Sequence, residues 1–194
     1  LEELMETLEI RWHGRGGQGT VTAAKTLGEA MIETPLYFQA FPEYGPERMG
    51  APVKAYNIIS KDKIYTHCPV VNPNLVVIVD SSLIYSENFL EGTDENAKII
   101  FNTEKSPVQI RKELGIVGRR LFTVDANKIS LDCLGRIIPN TPMLGAVLKV
   151  TGVLELEKFL EHVKHTFQHK KFPEKVILGN INAIRRAYEE VIGE

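Results

Sequence analysis

Leu8-Glu9-Ile10-Arg11-Trp12, followed after one residue by Gly14-Arg15-Gly16-Gly17-Gln18-Gly19, is the stretch that decides how this chain is read. Leu8 to Trp12 alternates apolar and polar residues as a short strand does, and Thr20 to Glu33 carries Val21, Ala24, Leu27, Met31 and Ile32 near a helical repeat. The glycines therefore stand at a strand-to-helix turn, with Gly14, Gly16 and Gly19 in G-x-G-x-x-G spacing. At such a turn the helix begins with unpaired N–H groups that suit an anion such as a phosphate, and Arg15 adds a positive charge. The competing reading is a tight turn whose glycines only allow a helix to pack closely on a sheet.

Working outward, 194 residues fit one domain with one sizeable core, spanning 1–194. A hydrophobic content of 43%, a charged content of 25% and a formal net charge of −2 describe an ordinary globular protein, with no sign of a nucleic-acid or membrane-surface role. No apolar run reaches membrane-spanning length, and Leu1 to Glu9 is acidic where a secretion signal would be basic, so the chain reads as cytoplasmic. Cys68 and Cys133 are far apart and lack a C-x-x-C partner. Four thiolates usually hold an iron–sulfur cluster, so both cysteines are expected as small core or near-core residues. His162, His165 and His169 lack a zinc-site pattern and are expected on a solvated helix face.

Past the first helix, Tyr37 to Phe41 reads as a second strand, but it ends in Phe41-Pro42 without the acid that holds a ribose hydroxyl in dinucleotide folds. The segment Pro42 to Pro52 mixes prolines, glycines and charges, as a stiff loop presenting Tyr44, Glu47 and Arg48 would. Val53 to Ile59 and Ile64 to Thr66 flank a polar turn and predict an antiparallel hairpin. Leu75 to Val79 has the continuous β-branched run of a central parallel strand, with Lys98 to Phe101 and Leu121 to Val124 as further strands. Their polar ends, Asp80-Ser81, Asn102-Thr103 and Asp125, should share the carboxyl-end rim where open α/β sheets bind ligands. Ser106-Pro107 and Asn140-Thr141-Pro142 predict capped helix starts, Gly115 and Gly152 helix ends, and Leu154 to Gln168 and Pro173 to Ile192 two amphipathic helices. The whole reads as an α/β fold: a three-layer α/β/α sandwich with a Rossmann-like, mostly parallel sheet carrying an antiparallel hairpin.

The chain shows no nucleophile elbow, Walker lysine or metal cage. A phosphate-binding rim without a catalytic constellation describes a module that holds a phosphorylated cofactor for chemistry on another chain.

His13-Gly14-Arg15-Gly16-Gly17-Gln18-Gly19, Tyr44-Gly45-Pro46-Glu47-Arg48 with Gly50-Ala51-Pro52-Val53, Asp80, Asn102-Thr103, and Asn140-Thr141 with Leu144-Gly145-Ala146 follow one another in a familiar order. In these segments the chain resembles the gamma subunit, or gamma domain, of 2-oxoacid:ferredoxin oxidoreductases, from residue 9 to about 190. The broader family continues Tyr-Gly-Pro-Glu with an arginine and two glycines. Here the order Arg48-Met49-Gly50-Ala51-Pro52-Val53 looks like the pyruvate branch rather than the 2-oxoglutarate, indolepyruvate or branched-chain branches.

The resemblance implies a subunit of pyruvate:ferredoxin oxidoreductase, which converts pyruvate, coenzyme A and oxidised ferredoxin into acetyl-CoA, carbon dioxide and reduced ferredoxin. It implies thiamine diphosphate with magnesium, and iron–sulfur clusters, on companion alpha, beta and delta subunits, with ferredoxin met through the complex. It also implies coenzyme A near this chain, so that Gly14, Arg15, Gly16, Gly17, Gln18, Gly19, Tyr44, Glu47, Arg48, Asp80 and Asn102 are the candidate binding residues. No catalytic residue and no metal ligand is expected here. Two rival classes stand beside it: a nucleotide-binding oxidoreductase domain using NAD(P) or a flavin, and a purely structural subunit whose glycine turn contacts a neighbour.

Overall fold

The alternation at the start of the chain builds the strand on which everything else is laid. In a computed structural model describing residues 7–43, 49–65 and 67–194, β1 (Thr7–Arg15) buries Ile10 and Trp12 on one face and Arg11 and His13 on the other. Helix α1 (Thr20–Glu29) follows, then β2 (Tyr37–Pro42), β3 (Pro52–Ser60), β4 (Leu75–Ile78), a 3₁₀ turn (Ser81–Tyr85), β5 (Lys98–Asn102), α2 (Pro107–Leu114), β6 (Arg120–Val124), α3 (Ala126–Leu134), α4 (Asn140–Thr151), α5 (Leu156–His169), α6 (Glu174–Glu190) and β7 (Ile192–Gly193). The sheet order is β2-β3-β1-β4-β5-β6-β7. β1, β4, β5 and β6 pair in parallel, β3 runs antiparallel to both β1 and β2, and β7 runs antiparallel to β6.

The uninterrupted apolar runs in β4 and β5 are explained by burial on both faces. Leu75, Val77 and Ile100 meet the core beneath α1, α3, α4, α5 and α6, whereas Val76, Ile78, Ile99 and Phe101 meet a smaller core that includes Phe89 and Ile110 of α2. This is the expected α/β/α sandwich, with the first layer much the thicker. Trp12 donates its Nε1–H to Asn57 Oδ1 (2.8 Å), and Asn57 Nδ2 donates to the Ala24 carbonyl (2.8 Å), so two buried polar groups lock β1, β3 and α1 together. In α4, a Cβ on Gly145 would stand 2.0 Å from the Ile184 carbonyl, so the missing side chain sets how closely α6 approaches.

Ser106 caps α2 with a reciprocal capping box, and Gly115, Gly135 and Gly152 end α2, α3 and α4 in left-handed geometry. Other expectations need correction. The antiparallel strand is present, but its partners are not Ile64 to Thr66. β3 is already paired on both edges, and Ile64 instead packs with Phe41, Tyr56, Ile58 and Val70; Thr66 lies outside the described residues. α1 ends at Glu29 rather than Glu33, passing into turns in which Met31 and Ile32 N–H reach back to Gly28 and Glu29. Asn140 does not cap α4: it is the first helical residue, after Pro139. Cys68 is exposed, not a core residue, while Cys133 is partly buried. β7 had no signal, since two residues make no period. Among the described residues no helix is long and apolar enough to cross a membrane.

Candidate functional site

The connection after β1 goes to the thick layer through α1, while those after β4 and β5 go to the other face through the 3₁₀ turn and α2. The crevice between the carboxyl ends of β1 and β4 is therefore the topological switch point, where open α/β sheets bind ligands. Most of the residues expected to bind converge there, though not all as drawn from sequence.

Gly14 and Arg15 belong to β1, and the turn proper is Gly16 to Gly19. Gly19, at φ 75°, takes the N-cap position of α1, and no side chain caps the helix. The first-turn amides of α1 thus meet no side-chain acceptor. A Cβ on Gly14 would stand 1.9 Å from Thr20 Oγ1, so the strand must end in glycine for the helix to begin where it does. Part of the turn's hydrogen-bonding capacity is spent internally: Gly16 N–H donates to the Ala51 carbonyl (2.9 Å), and Gln18 N–H to the Arg15 carbonyl (3.1 Å).

Arg15 is likewise not a free charge. Its guanidinium donates to Ser82 Oγ (2.8 and 3.1 Å) and to the Gly50 carbonyl (3.0 Å), and Nε lies 3.5 Å from Asp80. Gln18 bridges the two, accepting from Arg15 N–H (2.9 Å) and donating to the Asp80 carboxylate, which also accepts from Ser82 N–H and Oγ–H. Burial opposes ionisation of Asp80, but the hydrogen bonds from Ser82 and Gln18, aided by Arg15, hold its carboxyl below the usual carboxylate range. Asp80 therefore does more than cap the 3₁₀ turn, because it ties β4 to the glycine turn. Asn102 is a clamp: its Nδ2 donates to the Val79 carbonyl (2.8 Å) and Asn127 Oδ1 (3.0 Å), while its Oδ1 accepts from Asn127 N–H (3.3 Å). Tyr44, Glu47 and Arg48 lie outside the described residues.

Two clefts flank the turn. One of about 510 Å³ lies over Gly16, Gly19, Thr20 and Met49. The other, of about 430 Å³, lies between Gly17, Gln18 and Asp80 on one side and Asn127, Arg136 and Pro139 on the other. Sequence reading missed Asn127 and Arg136. Arg136 follows the glycine that ends α3, and nothing local distinguishes it from any solvated loop charge. Thr20 Oγ1 and Asn140 Oδ1 are buried beside the start of α1 without hydrogen-bond partners, and the Asn140 carboxamide sits where a Cβ on Gly19 would be.

His13 is buried under the sheet, away from this rim. Its Nε2 accepts from Arg11 Nε (3.1 Å), so the imidazole is neutral with its proton on Nδ1. Burial, with Arg11 and Lys54 nearby, pushes its pKa down to about 3. Arg11 in turn donates to the carbonyls of Phe89 (3.0 Å) and Glu91 (2.6 Å), fastening the connection between the 3₁₀ turn and β5. Next to the Tyr44 loop, the Tyr56 hydroxyl donates to the Glu43 carboxylate, and burial first, then Glu43, raises the phenol's pKa. Among the described residues no group of three His, Cys, Asp or Glu side chains converges as metal ligands would. Among the described residues, the rim presents the amides of the glycine turn, the Asp80 carboxylate and the Asn102 and Asn127 carboxamides.

A glycine turn at the switch point of a Rossmann-like sheet is the geometry with which many open α/β folds bind phosphates and nucleotides. The family model for pyruvate ferredoxin/flavodoxin oxidoreductase matches residues 9–190, and the chain belongs to that family. It is 46% identical over 183 residues to pyruvate synthase subunit PorC of Thermotoga maritima, covering 94% of each chain. It is 42% identical to the common gamma subunit of the pyruvate/ketoisovalerate oxidoreductases of Pyrococcus furiosus, covering 94% of this chain and 96% of that one. The crystal structure of pyruvate oxidoreductase subunit PorC from T. maritima superposes with a TM-score of 0.85 at 42% identity, over 98% of this chain and 99% of the other.

Proposed function

We propose that this chain is the gamma subunit of a pyruvate:ferredoxin oxidoreductase, and that its carboxyl-end rim receives coenzyme A while companion subunits carry out the redox chemistry. The carrying observation is the glycine turn at the switch point, opening on an α1 N-terminus that no side chain caps, in a chain nearly half identical to a pyruvate synthase subunit. Thiamine diphosphate, magnesium and iron–sulfur clusters belong, on this reading, to alpha, beta and delta partners. The described residues of this chain bring together no ligand set that would fit a metal, and its cysteines stand apart. The relatives described as a common subunit serve oxidoreductases of two different 2-oxo acids, which accords with a chain that handles what both reactions share. Ferredoxin is met through the complex.

Arg15→Ala in the assembled enzyme should raise the KM for coenzyme A more than that for pyruvate, because the change releases Asp80 and Ser82 beside the turn. Equal effects on both substrates, with assembly intact, would overturn the coenzyme A role. A second reading is favoured by the internal bonds of Arg15 and Gly16: the turn is a rigid contact for a neighbouring subunit. In that case Arg15→Ala reduces the yield of complex on affinity purification and leaves coenzyme A kinetics unchanged in what assembles.

A further inference from the structure

The sheet has two edges, and they are finished differently. β7 is two residues long and runs into Glu194, whose carboxylate takes the Arg111 guanidinium, a short charged margin of the kind that keeps sheets from pairing. β2, at the other edge, is six residues long and carries no charged side chain. Its pairing with β3 fixes which backbone groups point outward. Glu43 N–H donates to the carbonyl of Lys54 directly opposite (3.0 Å), so the alternation of an antiparallel ladder spends Tyr37, Gln39 and Phe41 on β3 and leaves Phe38, Ala40 and Pro42 facing out. Pro42 has no N–H and ends the row. Among the described residues, the N–H groups and carbonyls of Phe38 and Ala40 have no hydrogen-bond partner. Between them, Gln39 Oε1 is buried and lacks a donor.

This margin is complementary to itself. About a two-fold axis through Gln39, an antiparallel copy of the strand sets Phe38 opposite the partner's Ala40, and every outward N–H of the two residues meets a carbonyl. Gln39 meets the partner's Gln39 as a non-hydrogen-bonded pair, with Cα atoms about 4.5 Å apart. There each carboxamide can turn its Nε2 toward the other's oxygen and supply the missing donor. Tyr37, 43% exposed, comes against the partner's Phe41. Glu43, the acid next to the strand, falls opposite Pro35, so no like charges face each other. We propose that β2 pairs with β2 of a second copy, making this chain a two-fold dimer with one sheet continuous through both protomers. The contact is isologous and closes at two copies. It lies at the side of the sheet and is independent of the coenzyme A reading.

The test is a disulfide that this register allows. In the full chain carrying Cys68→Ser, Gln39→Cys should oxidise to a dimer that resists SDS and is lost on reduction, because facing positions of such a pair stand within bridging distance. Ala40→Cys, which faces Phe38 and not itself, should not cross-link. By light scattering the parent chain should have twice the mass of one chain. Gln39→Lys sets two ammonium groups face to face and should raise the dissociation constant at least about tenfold, and an equimolar mixture with Gln39→Glu should regain the dimer. A parent chain that stays monomeric up to about 0.1 mM, a dimer that Gln39→Lys leaves intact, or cross-linking through Ala40→Cys and not Gln39→Cys overturns the proposal. So does a cross-link from Gln39→Cys to a chain of different sequence in the purified holoenzyme, which would give this edge to a companion subunit.

Discussion

Gly14→Ala isolates the contact on which the glycine turn is built. The new Cβ would lie 1.9 Å from Thr20 Oγ1, 3.1 Å from Thr20 Cβ and 3.3 Å from Thr20 Cγ2, against an ordinary contact distance of about 3.5 Å. Thr20 is 2% exposed, so relief requires either a rotamer change against packed neighbours or a shift of α1. Overpacking of this kind costs roughly 2 kcal/mol, or about 4–8 °C in Tm for a chain of this length. Thr20→Ala alone should cost far less, since the hydroxyl it removes has no partner. In the double variant only the 3.1 Å approach to a β-carbon remains. The two substitutions should therefore couple favourably by at least about 1 kcal/mol in a double-mutant cycle measured by urea unfolding. Additive effects, or a Gly14→Ala protein as stable as the parent, would refute the argument that the strand ends in glycine to admit Thr20.

Arg11→Met removes the donors to the Phe89 and Glu91 carbonyls and leaves the Phe89 carbonyl buried and unpaired, so stability should fall by about 2 kcal/mol and exchange should quicken in 86–97 before the rest of the chain. Unchanged protection there would mean that apolar packing alone holds the segment. His13 is held neutral by burial with a pKa of about 3, while the unfolded chain takes up its proton near 6.5. The unfolded state thus binds more protons between those values, and His13 contributes a loss of stability as pH falls from about 6.5, at up to about 1.4 kcal/mol per pH unit. His13→Gln should flatten the stability profile between pH 6.5 and 5, above the range of ordinary carboxylates, and an identical slope in both proteins would sink the assignment.

Much of the architecture was legible in the chain because it rests on local signals. Apolar runs of period two, β-branched segments bounded by polar ends, the Ser106-Pro107 start and the glycine stop at Gly115 each act within a few residues, and they placed β4, β5, β6 and α2 closely. The rim of Asp80, Asn102 and Asp125 followed, since strands running in one direction put their ends on one side. Strand pairing was not legible in the same way. The run from Val53 was correctly extended and antiparallel, but its partners are β1, some 40 residues earlier, and β2, and no pattern in the strand itself names them.

The sequence by itself determined that a glycine turn joins a strand to a helix, that a polar rim tops a mostly parallel sheet, and that the chain resembles one oxidoreductase family. These are matters of residue type and near-neighbour spacing. Only the tertiary structure decided how the charges are used. Arg15 looked like the anion's partner, yet folding brings Asp80 and Ser82 from the end of β4 against it, while Arg136, unremarkable in its loop, is left facing the cleft. Whether a charge is spent or available depends on which distant backbone delivers an opposing group within about 4 Å, and that distance does not exist until the sheet has closed.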